Sequence, residues 1–359
     1  MTLFKLIAHL VLSLITIWVT RRVFRERPGW RLGLTLFLGI EAVVFTVLSF
    51  AGMPDGLYAT FNNFWIGLWV FLSIYLIFWI ILLFSPQSRR KALLYPAYLG
   101  AAFMAILLGI IGHQSFSKPA LTEYDITLSQ TAPKDSIRIL LVTDLHIGPI
   151  VGTEEIAHLR QLTKGLKADY LIFGGDMIDR KLSYALDEDV MQEMRELIVA
   201  AVPSGRTYFI LGNHEYYSDT DGKIKWISSL GTLLRDSVVL LPEGVCLVGR
   251  DSSQGYGRQD LAPLTKDIPD ETPMIILAHE PEKRGKTDTI DRPALYLHGH
   301  THNGQLFLFR PLIYLIHDEV YGRYDKGGST HITSSGYGVS TSTLRIGTRS
   351  EAVLLTVRL

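Results

Sequence analysis

The stretch FWIGLWVFLSIYLIFWIILLF, residues 64–84, contains no charged side chain. An α-helix needs about 20 apolar residues to cross the roughly 30 Å hydrocarbon core of a bilayer. A helix that is apolar on every side is typical of a membrane span. Three further apolar stretches of similar length lie at residues 3–20, 32–52 and 93–112. We therefore expect an α-helical transmembrane domain of four spans within residues 1–115.

The first apolar stretch also has a basic start at Lys5, as a signal peptide has. It is followed by RRVFRERPGWR, which offers no cleavage site of small residues. This favours a retained span over a removed leader.

The positive charges between the spans predict an orientation. Five arginines lie in residues 21–31 and three basic residues in 89–91, whereas residues 53–63 contain none. Cytoplasmic loops carry the excess of Lys and Arg, so the first and third loops are predicted to face the cytoplasm. Both termini and the C-terminal domain are then extracytoplasmic, in an integral multi-pass membrane protein.

Glu41 is an acidic residue inside the second predicted span. Ionisable groups are costly in lipid and often functional, for instance in proton relays. The alternative, which we favour, is that Glu41 pairs with a group on a neighbouring helix.

Net charge divides the chain into two parts. Residues 1–115 contain nine Lys/Arg and three Asp/Glu, a net charge of +6, and the totals of 35 each leave −6 for residues 116–359. An acidic C-terminal part argues against nucleic acid as a partner, because that role requires basic surface. The single cysteine, Cys246, excludes an internal disulfide and a cysteine-based zinc site.

Apolar runs that end in polar residues alternate with helical patterns after residue 136. IRILLVTD precedes the helical EEIAHLRQLTKGL, and YLIFGGD precedes the helical DEDVMQEMRELIVAAV. TYFILGNHE, PMIILAHE and PALYLHGHTH continue the series. This alternation predicts parallel strands covered on both faces. We expect an α/β domain at residues 136–359, after a connector and first strand at 116–135.

Polar side chains follow five of these predicted strands. Ligands of open α/β sheets gather at the carboxyl ends of strands, so we expect these side chains to converge in one crevice. The candidates are Asp144, His146, Asp176, Asn213, His214, His279, His300 and His302. Carboxylate and amide oxygens mixed with imidazoles suit Mn, Fe or Zn. So many ligands without a thiolate favour two divalent metal ions about 3.5–4 Å apart, the arrangement that serves phosphoester hydrolysis.

The blocks DLH (144–146), GD (175–176), GNHE (212–215), His279 and GHTH (299–302) resemble the calcineurin-like metallophosphoesterase family over residues 135–359. The tail SSGYGVSTSTLRIGTRSEAVLLTVRL also resembles the membrane-linked or exported YkuE/YaeI-like subgroup. The resemblance implies layered β-sheets flanked by helices and a metal-dependent phosphoric ester hydrolase.

Position by position, the resemblance also implies the roles of the site residues. Asp144, His146 and His302 would bind one metal, Asn213, His279 and His300 the other, and Asp176 would bridge them. A hydroxide bridging the metals would attack the phosphorus. His214 would bind no metal, but would stabilise the phosphoryl group and protonate the leaving oxygen, with Glu215 or another acid holding its imidazole.

Other residues of the motifs are interpreted as partners of the ligands. Asp179 is expected beside a ligand imidazole, and His298 is expected to support a ligand or to pack in the core. Gly299 lets the backbone approach the site. His113, His158, His317 and His331 fit no motif.

The resemblance implies a phosphoester or pyrophosphate substrate, and two features suggest one that is lipid-linked or part of the envelope. One feature is the membrane domain, and the other is the apolar segment of FRPLIYLIHDEVYGRY (309–324), which would touch lipid if exposed or form a core strand if buried. Two other functions stay open: a membrane transporter or sensor that binds a phosphorylated ligand, and a nucleotide phosphodiesterase facing the cytoplasm. No obligate protein partner is inferred.

Overall fold

The computed structural model describes residues 3–51, 55–128, 136–255, 257–285 and 290–359. Two compact units are present: Met1–His113 with Thr341–Leu344, and Gln114–Ser340 with Arg345–Leu359. The predicted end of the second span at Gly52 and residues 129–135 of the predicted connector lie outside the described residues.

The first unit contains the four predicted apolar helices. They are α1 (Leu3–Val23), α2 (Pro28–Ala51), α3 (Asp55–Leu83) and α4 (Gln87–Ser117), and each is long and apolar enough to cross a membrane. Large apolar side chains point outward, among them Ile40 and Val43, which are 62% and 63% exposed. Such a surface is favourable in lipid and unfavourable in water, so the prediction of four apolar helices is confirmed.

Glu41 on α2 pairs with His9 on α1. The carboxylate oxygen Oε1 lies 3.1 Å from His9 Nε2, and the imidazole is fully buried. The interpretation of Glu41 as a helix-pairing residue therefore has a physical partner in the structure.

The second unit is built on two mixed six-stranded sheets. The first has the order β1-β12-β2-β3-β4-β5 and the second the order β10-β11-β9-β8-β7-β6. The strands of the first are β1 (Ala120–Thr127), β2 (Ser136–Val142), β3 (Tyr170–Gly174), β4 (Thr207–Ile210), β5 (Thr232–Leu233) and β12 (Glu351–Arg358). Those of the second are β6 (Ser237–Leu240), β7 (Cys246–Gly249), β8 (Met274–Leu277), β9 (Leu295–His298), β10 (Gly322–Lys326) and β11 (Ser329–Thr333).

The sheets pack face to face and helices cover their outer faces. Side chains of one face of the first sheet, such as Ile172 and Ile210, share a core with Leu247 and Ile275 of the second. The helices are α5 (Thr153–Thr163), α6 (Glu188–Ala201), α7 (Thr220–Leu230), α8 (Leu261–Thr265) and α9 (Arg310–Tyr314). α5, α6 and α7 cover the first sheet and α8 the second. The predicted layered α/β fold is confirmed.

The runs predicted as parallel strands are parallel, but they belong to two sheets. β2, β3 and β4 are parallel neighbours in the first sheet, and β8 and β9 are parallel neighbours in the second. Strands buried on both faces have the same apolar pattern whichever sheet they join, so the pattern could not separate the two sheets.

Residues 309–324 do not form the core strand that was one of the two interpretations. α9 occupies Arg310–Tyr314, and β10 begins only at Gly322. Leu312 and Leu315 are 56% and 67% exposed, so this apolar segment is on the surface.

Candidate metal centre

Seven candidate ligands gather where five strands end. Asp144 and His146 follow β2, Asp176 follows β3, Asn213 follows β4, His279 follows β8, and His300 and His302 follow β9. Backbone hydrogen bonds join the loops that carry them: Asp144 N–H donates to Gly175 O, His146 N–H to Asp176 O, and Gly299 N–H to His279 O. The ends of both sheets thus meet at one place, as the strand-end pattern predicts.

Asp144, His146 and His302 form one group of possible metal ligands. The Nε2 atoms of His146 and His302 lie 3.1 Å apart. Asp144 Oδ1 lies 3.4 Å from His302 Nε2 and 3.9 Å from His146 Nε2. The three side chains therefore direct ligand atoms at one point, which is what a cation requires.

Asp176, His279 and His300 form a second group. Asp176 Oδ2 lies 3.2 Å from His279 Nε2 and 3.7 Å from Nε2 of His146, a member of the first group. One carboxylate therefore faces both groups, as a carboxylate shared by two cations does.

The ligand atoms at this site suit divalent cations. His279 Nδ1 donates to the carbonyl of Gly174 at 2.7 Å, which leaves Nε2 directed at the Asp176 carboxylate. Burial lowers the pKa of this ring, but the charges of Asp176 and Asp144 raise it well above its usual value, so a cation at Nε2 would replace a proton. The Asn213 amide donates to the Tyr217 hydroxyl, and its buried Oδ1 has no hydrogen-bond partner among the described residues. Buried acceptors that face one another are unfavourable unless a positive charge lies between them.

Five of the seven candidate ligands have left-handed backbone conformations. The φ angles are 54° at Asp144, 52° at His146, 52° at Asp176, 70° at His300 and 48° at His302. Each such residue costs on the order of 1–3 kcal/mol and persists only where the surrounding structure holds it. Strain concentrated at the same five positions is typical of a functional site.

Two glycines leave room for the aspartates. A Cβ at Gly212 would overlap Asp176 Oδ1, and one at Gly299 would overlap Asp144 Oδ2. Any side chain at these positions would displace a carboxylate, so the glycines of the GNHE and GHTH blocks are required by close approach.

Burial and neighbouring charges set the protonation of the site. Burial lowers the pKa of His146 to about 3, helped by the charge of His214, and lowers that of His300 to about 4, helped by His279. Burial alone would raise the pKa of Asp176, but the charge of His279 lowers it well below its usual value. His146 and His300 are therefore neutral and Asp176 is ionised near pH 7, the forms that bind metals.

His214 lies beside the two ligand groups and is held by Asp179. Its Nδ1 is 3.0 Å from Asp179 Oδ1, and its Nε2 is 3.9 Å from Asp176 Oδ2. Burial lowers the pKa of His214, but hydrogen bonding to Asp179 and the charge of Asp176 outweigh burial and raise it. Asp179 Oδ1 also lies 3.9 Å from His146 Nδ1, so Asp179 is beside the imidazole of a candidate ligand.

Glu215 does not hold the His214 imidazole, which was the first of the two expected arrangements. It accepts hydrogen bonds from the backbone N–H groups of Gly212, Asp176 and Ile178 at 2.8, 3.0 and 3.1 Å. Burial raises its pKa to about 7, with the Asp176 charge as the second cause. The Glu215 side chain points to these three backbone donors because a buried N–H without an acceptor is costly. The acid that contacts the His214 imidazole is Asp179.

His298 turns away from the ligand groups. Its Nδ1 donates to the carbonyl of Ala278 at 2.7 Å, and its Nε2 faces Glu319 at 3.8 Å. The imidazole is 3% exposed and lies in the second sheet beside Tyr296 and His331.

Arg345 is a site residue that the sequence analysis did not identify. Its guanidinium is fully buried, with Nη2 3.2 Å from His302 Nδ1 and donating to the carbonyls of Gly336 and Gly338. Burial lowers its pKa to about 10. Its place in the tail segment SSGYGVSTSTLRIG was the only sign of a role in the sequence. Arg345 and His302 lie 43 positions apart, so the sequence does not reveal their contact.

Residues 137–304 match the family profile described as calcineurin-like phosphoesterase. An uncharacterized metallophosphoesterase of Helicobacter pylori strain J99 is 30% identical over 277 residues, which cover 75% of this chain and 72% of that protein. The chain belongs to the calcineurin-like phosphoesterase family. It is a metal-dependent phosphoester hydrolase, and members of this family generally use two divalent metals.

Two further relatives are similar to this chain over about three quarters of its length. A transmembrane protein with metallophosphoesterase domain from Bos taurus is 29% identical over 300 residues, covering 76% of this chain and 64% of the relative. The metallophosphoesterase YkuE of Bacillus subtilis is 28% identical over 297 residues, covering 76% of this chain and 99% of YkuE. With the four apolar helices, the first of these relatives indicates that this phosphoesterase is a membrane protein.

Proposed function

We propose that this membrane-anchored phosphoesterase hydrolyses a lipid-linked phosphoester or pyrophosphate on the extracytoplasmic side, with seven side chains holding a dinuclear metal centre. The observation that carries the proposal is the Asp176 carboxylate, whose Oδ2 lies 3.2 Å from His279 and 3.7 Å from His146, between the two ligand groups.

The proposed roles follow from the two groups. Asp144, His146 and His302 would hold one cation, Asn213, His279 and His300 would hold the other, and Asp176, which faces both groups, would serve both. When bound, two divalent cations neutralise charge on the phosphoryl oxygens and lower the pKa of water that attacks the phosphorus. The five left-handed residues keep the ligand atoms in place before the substrate arrives, so little reorganisation is needed during the reaction.

His214 supplies the proton in this proposal. Asp179 orients the ring through Nδ1, which leaves Nε2 on the side of Asp176 and the substrate. The raised pKa increases the protonated fraction of the ring near neutral pH, and in that form Nε2–H can donate to a phosphoryl oxygen or to the leaving oxygen. Its side chain is 18% exposed, enough for contact with a substrate from solution.

A direct assay tests the activity. Purified full-length protein in detergent, freed of metal with a chelator and then supplied with Mn²⁺, Fe²⁺ or Zn²⁺, should hydrolyse a chromogenic phosphate monoester or diester. We expect activity to return with at least one of these metals and to be absent in chelator. Activity that is equal in chelator and in metal would contradict the proposal.

The proposal of a lipid-linked substrate depends on an apolar patch made of Phe307, Phe309, Leu312, Leu315 and Ile316. These side chains are 38–67% exposed and follow the GHTH block directly in the chain. Exposed apolar side chains gathered on one short segment are costly in water unless lipid or another apolar partner covers them.

Polar substitution of this patch should slow hydrolysis of a lipid substrate and leave hydrolysis of a soluble substrate unchanged. The double variant Leu312→Ser, Leu315→Ser should lose about tenfold or more in hydrolysis of a phosphorylated lipid in vesicles, since each buried leucine contributes about 1.5 kcal/mol or more. Hydrolysis of a soluble phosphoester should stay unchanged. Leu240→Ser, at an exposed leucine of β6, is the matched control. Equal rates of lipid hydrolysis in wild type and double variant would contradict the role of the patch.

The proposed orientation follows from the eight basic residues at 21–31 and 89–91. A periplasm-active phosphatase reporter joined after Leu359 should be active, and a reporter that fluoresces only in the cytoplasm should be dark. The reverse result would place the phosphoesterase domain in the cytoplasm and favour a soluble cytoplasmic substrate such as a nucleotide.

A further inference from the structure

A third group of imidazole and carboxylate side chains lies outside the seven candidate ligands. It consists of His298 at the end of β9, His331 in β11 and Glu319 in the loop before β10. Glu319 Oε2 lies 2.9 Å from His331 Nδ1 and 3.8 Å from His298 Nε2. All three residues are buried, with 3–8% exposure.

The tautomer of His298 directs a lone pair into this group. Its Nδ1 donates to the carbonyl of Ala278 at 2.7 Å, so in the neutral ring Nε2 is an acceptor. Nε2 is buried, faces the Glu319 carboxylate and has no hydrogen-bond partner within the described ranges. Two buried acceptors that face each other are stable only with a positive charge between them.

The distances suit a small divalent ion. Ligand atoms held about 2.0–2.1 Å from a tetrahedral zinc are separated from one another by about 3.3 Å. The distances from Glu319 Oε2 to His331 Nδ1 and His298 Nε2, 2.9 and 3.8 Å, lie on either side of this value. A hydrogen bond from the ring to a backbone carbonyl, as at His298, is the usual support of a metal-binding imidazole. The Tyr296 ring stacks on His331 at 4.2 Å with an interplanar angle of 2°, which fixes the second imidazole.

Lys326 is the charged neighbour that competes for Glu319. Its Nζ lies 2.7 Å from Oε1, the carboxylate oxygen that does not face the two imidazoles. The lysine side chain is 48% exposed and can move into solvent. Even with the lysine in place, Glu319 Oε2 is directed at the two imidazoles. The ion pair is therefore compatible with a cation at Oε2.

A cavity of about 300 Å³ adjoins the group. Its lining includes all three side chains together with Ala278, Lys283 and Ser329. The cavity provides an entry path for an ion and room for water as a fourth ligand, two features that a three-residue metal site needs.

We propose that His298, Glu319 and His331 bind a third divalent ion of the zinc class, separate from the dinuclear centre. Two imidazoles and one carboxylate with an open fourth position are a ligand set that zinc and iron(II) accept. The ion tethers the loop before β10 to β9, and the same loop accepts a hydrogen bond through Val320 O from Thr301 of the GHTH block at 2.6 Å. It thereby holds the segment that carries His300 and His302.

Metal content of the full-length protein tests the proposal. Wild type in detergent is saturated with Zn²⁺, freed of excess by gel filtration and analysed by mass spectrometry for bound zinc. We expect three equivalents in wild type and two in His331→Ala and Glu319→Gln. His158→Ala, which removes an exposed imidazole, should keep three. Asp176→Ala should lose zinc from the dinuclear centre and keep the third ion, which distinguishes the two sites.

A titration of metal-free wild type with Co²⁺ removes any dependence on how the variants fold. Visible absorption should saturate at three equivalents, and Glu319→Gln, the more conservative change, should remove one. Saturation of wild type at two equivalents would overturn the third site, as would equal zinc content in wild type, His331→Ala and Glu319→Gln.

Discussion

Replacing Asp176 by asparagine should lower phosphoester hydrolysis on the order of a thousandfold or more. The amide has nearly the shape of the carboxylate but no negative charge. It would leave two cations with one anionic ligand fewer between His146 and His279, where Asp176 Oδ2 now lies 3.7 and 3.2 Å from the imidazoles. We expect less bound metal in the variant, with kcat and metal content measured on the same preparation.

The backbone around Asp176 should tolerate the substitution. Oδ1 accepts from the His214 N–H at 2.8 Å, and the amide oxygen of asparagine can accept in its place. Asp267→Asn, at an exposed aspartate, is the matched control and should keep full activity. If Asp176→Asn retained both full metal content and an activity within about tenfold of wild type, Asp176 would not be the shared ligand.

Replacing His214 by alanine should lower kcat by about 10²–10⁴-fold while bound metal stays at the wild-type level. Its imidazole is placed to donate a proton and is absent from the groups that contain Asp144 and Asp176. The loss should depend on the leaving group. An alkyl phosphoester needs protonation of its leaving oxygen, whereas a nitrophenyl ester does not, so the nitrophenyl ester should lose much less. Loss of metal, or an equal loss on both esters, would contradict the assignment.

The variant Asp179→Asn should change the pH dependence of kcat through its effect on His214. Asp179 and Asp176 raise the pKa of His214 against the effect of burial, so removal of the Asp179 charge should lower that pKa. Activity that needs the protonated ring is lost above the pKa, and the alkaline limb of the kcat profile should therefore move to lower pH. An unmoved limb, or one that moves to higher pH, would show that Asp179 does not act through His214.

Much of the architecture was predictable because its signals are local. The four apolar helices follow from length and hydropathy alone, and the strand-end positions of the candidate ligands follow from apolar runs that stop at polar residues. The pairing of His146 with His302, 156 positions apart, could be expected only because strand ends converge.

The remaining features depend on tertiary contacts that no short segment encodes. The apolar runs alone did not assign the strands to two sheets, because a buried strand has the same pattern in either sheet. Glu215 accepts from three backbone N–H groups that exist only once the loops after β3 and β4 are adjacent. Arg345 and the cluster around His331 are likewise formed by residues far apart in sequence, and α9 was ambiguous because a short apolar run fits a strand as well as a helix.

The proposed mechanism requires two divalent cations between the strand ends, one on each side of the Asp176 carboxylate. Anomalous diffraction from crystals of the full-length protein soaked in Mn²⁺ measures this directly. We expect two peaks about 3.5–4 Å apart at the strand ends, one among Asp144, His146 and His302 and one among Asn213, His279 and His300. A single peak, or two peaks that do not both contact Asp176, would contradict it.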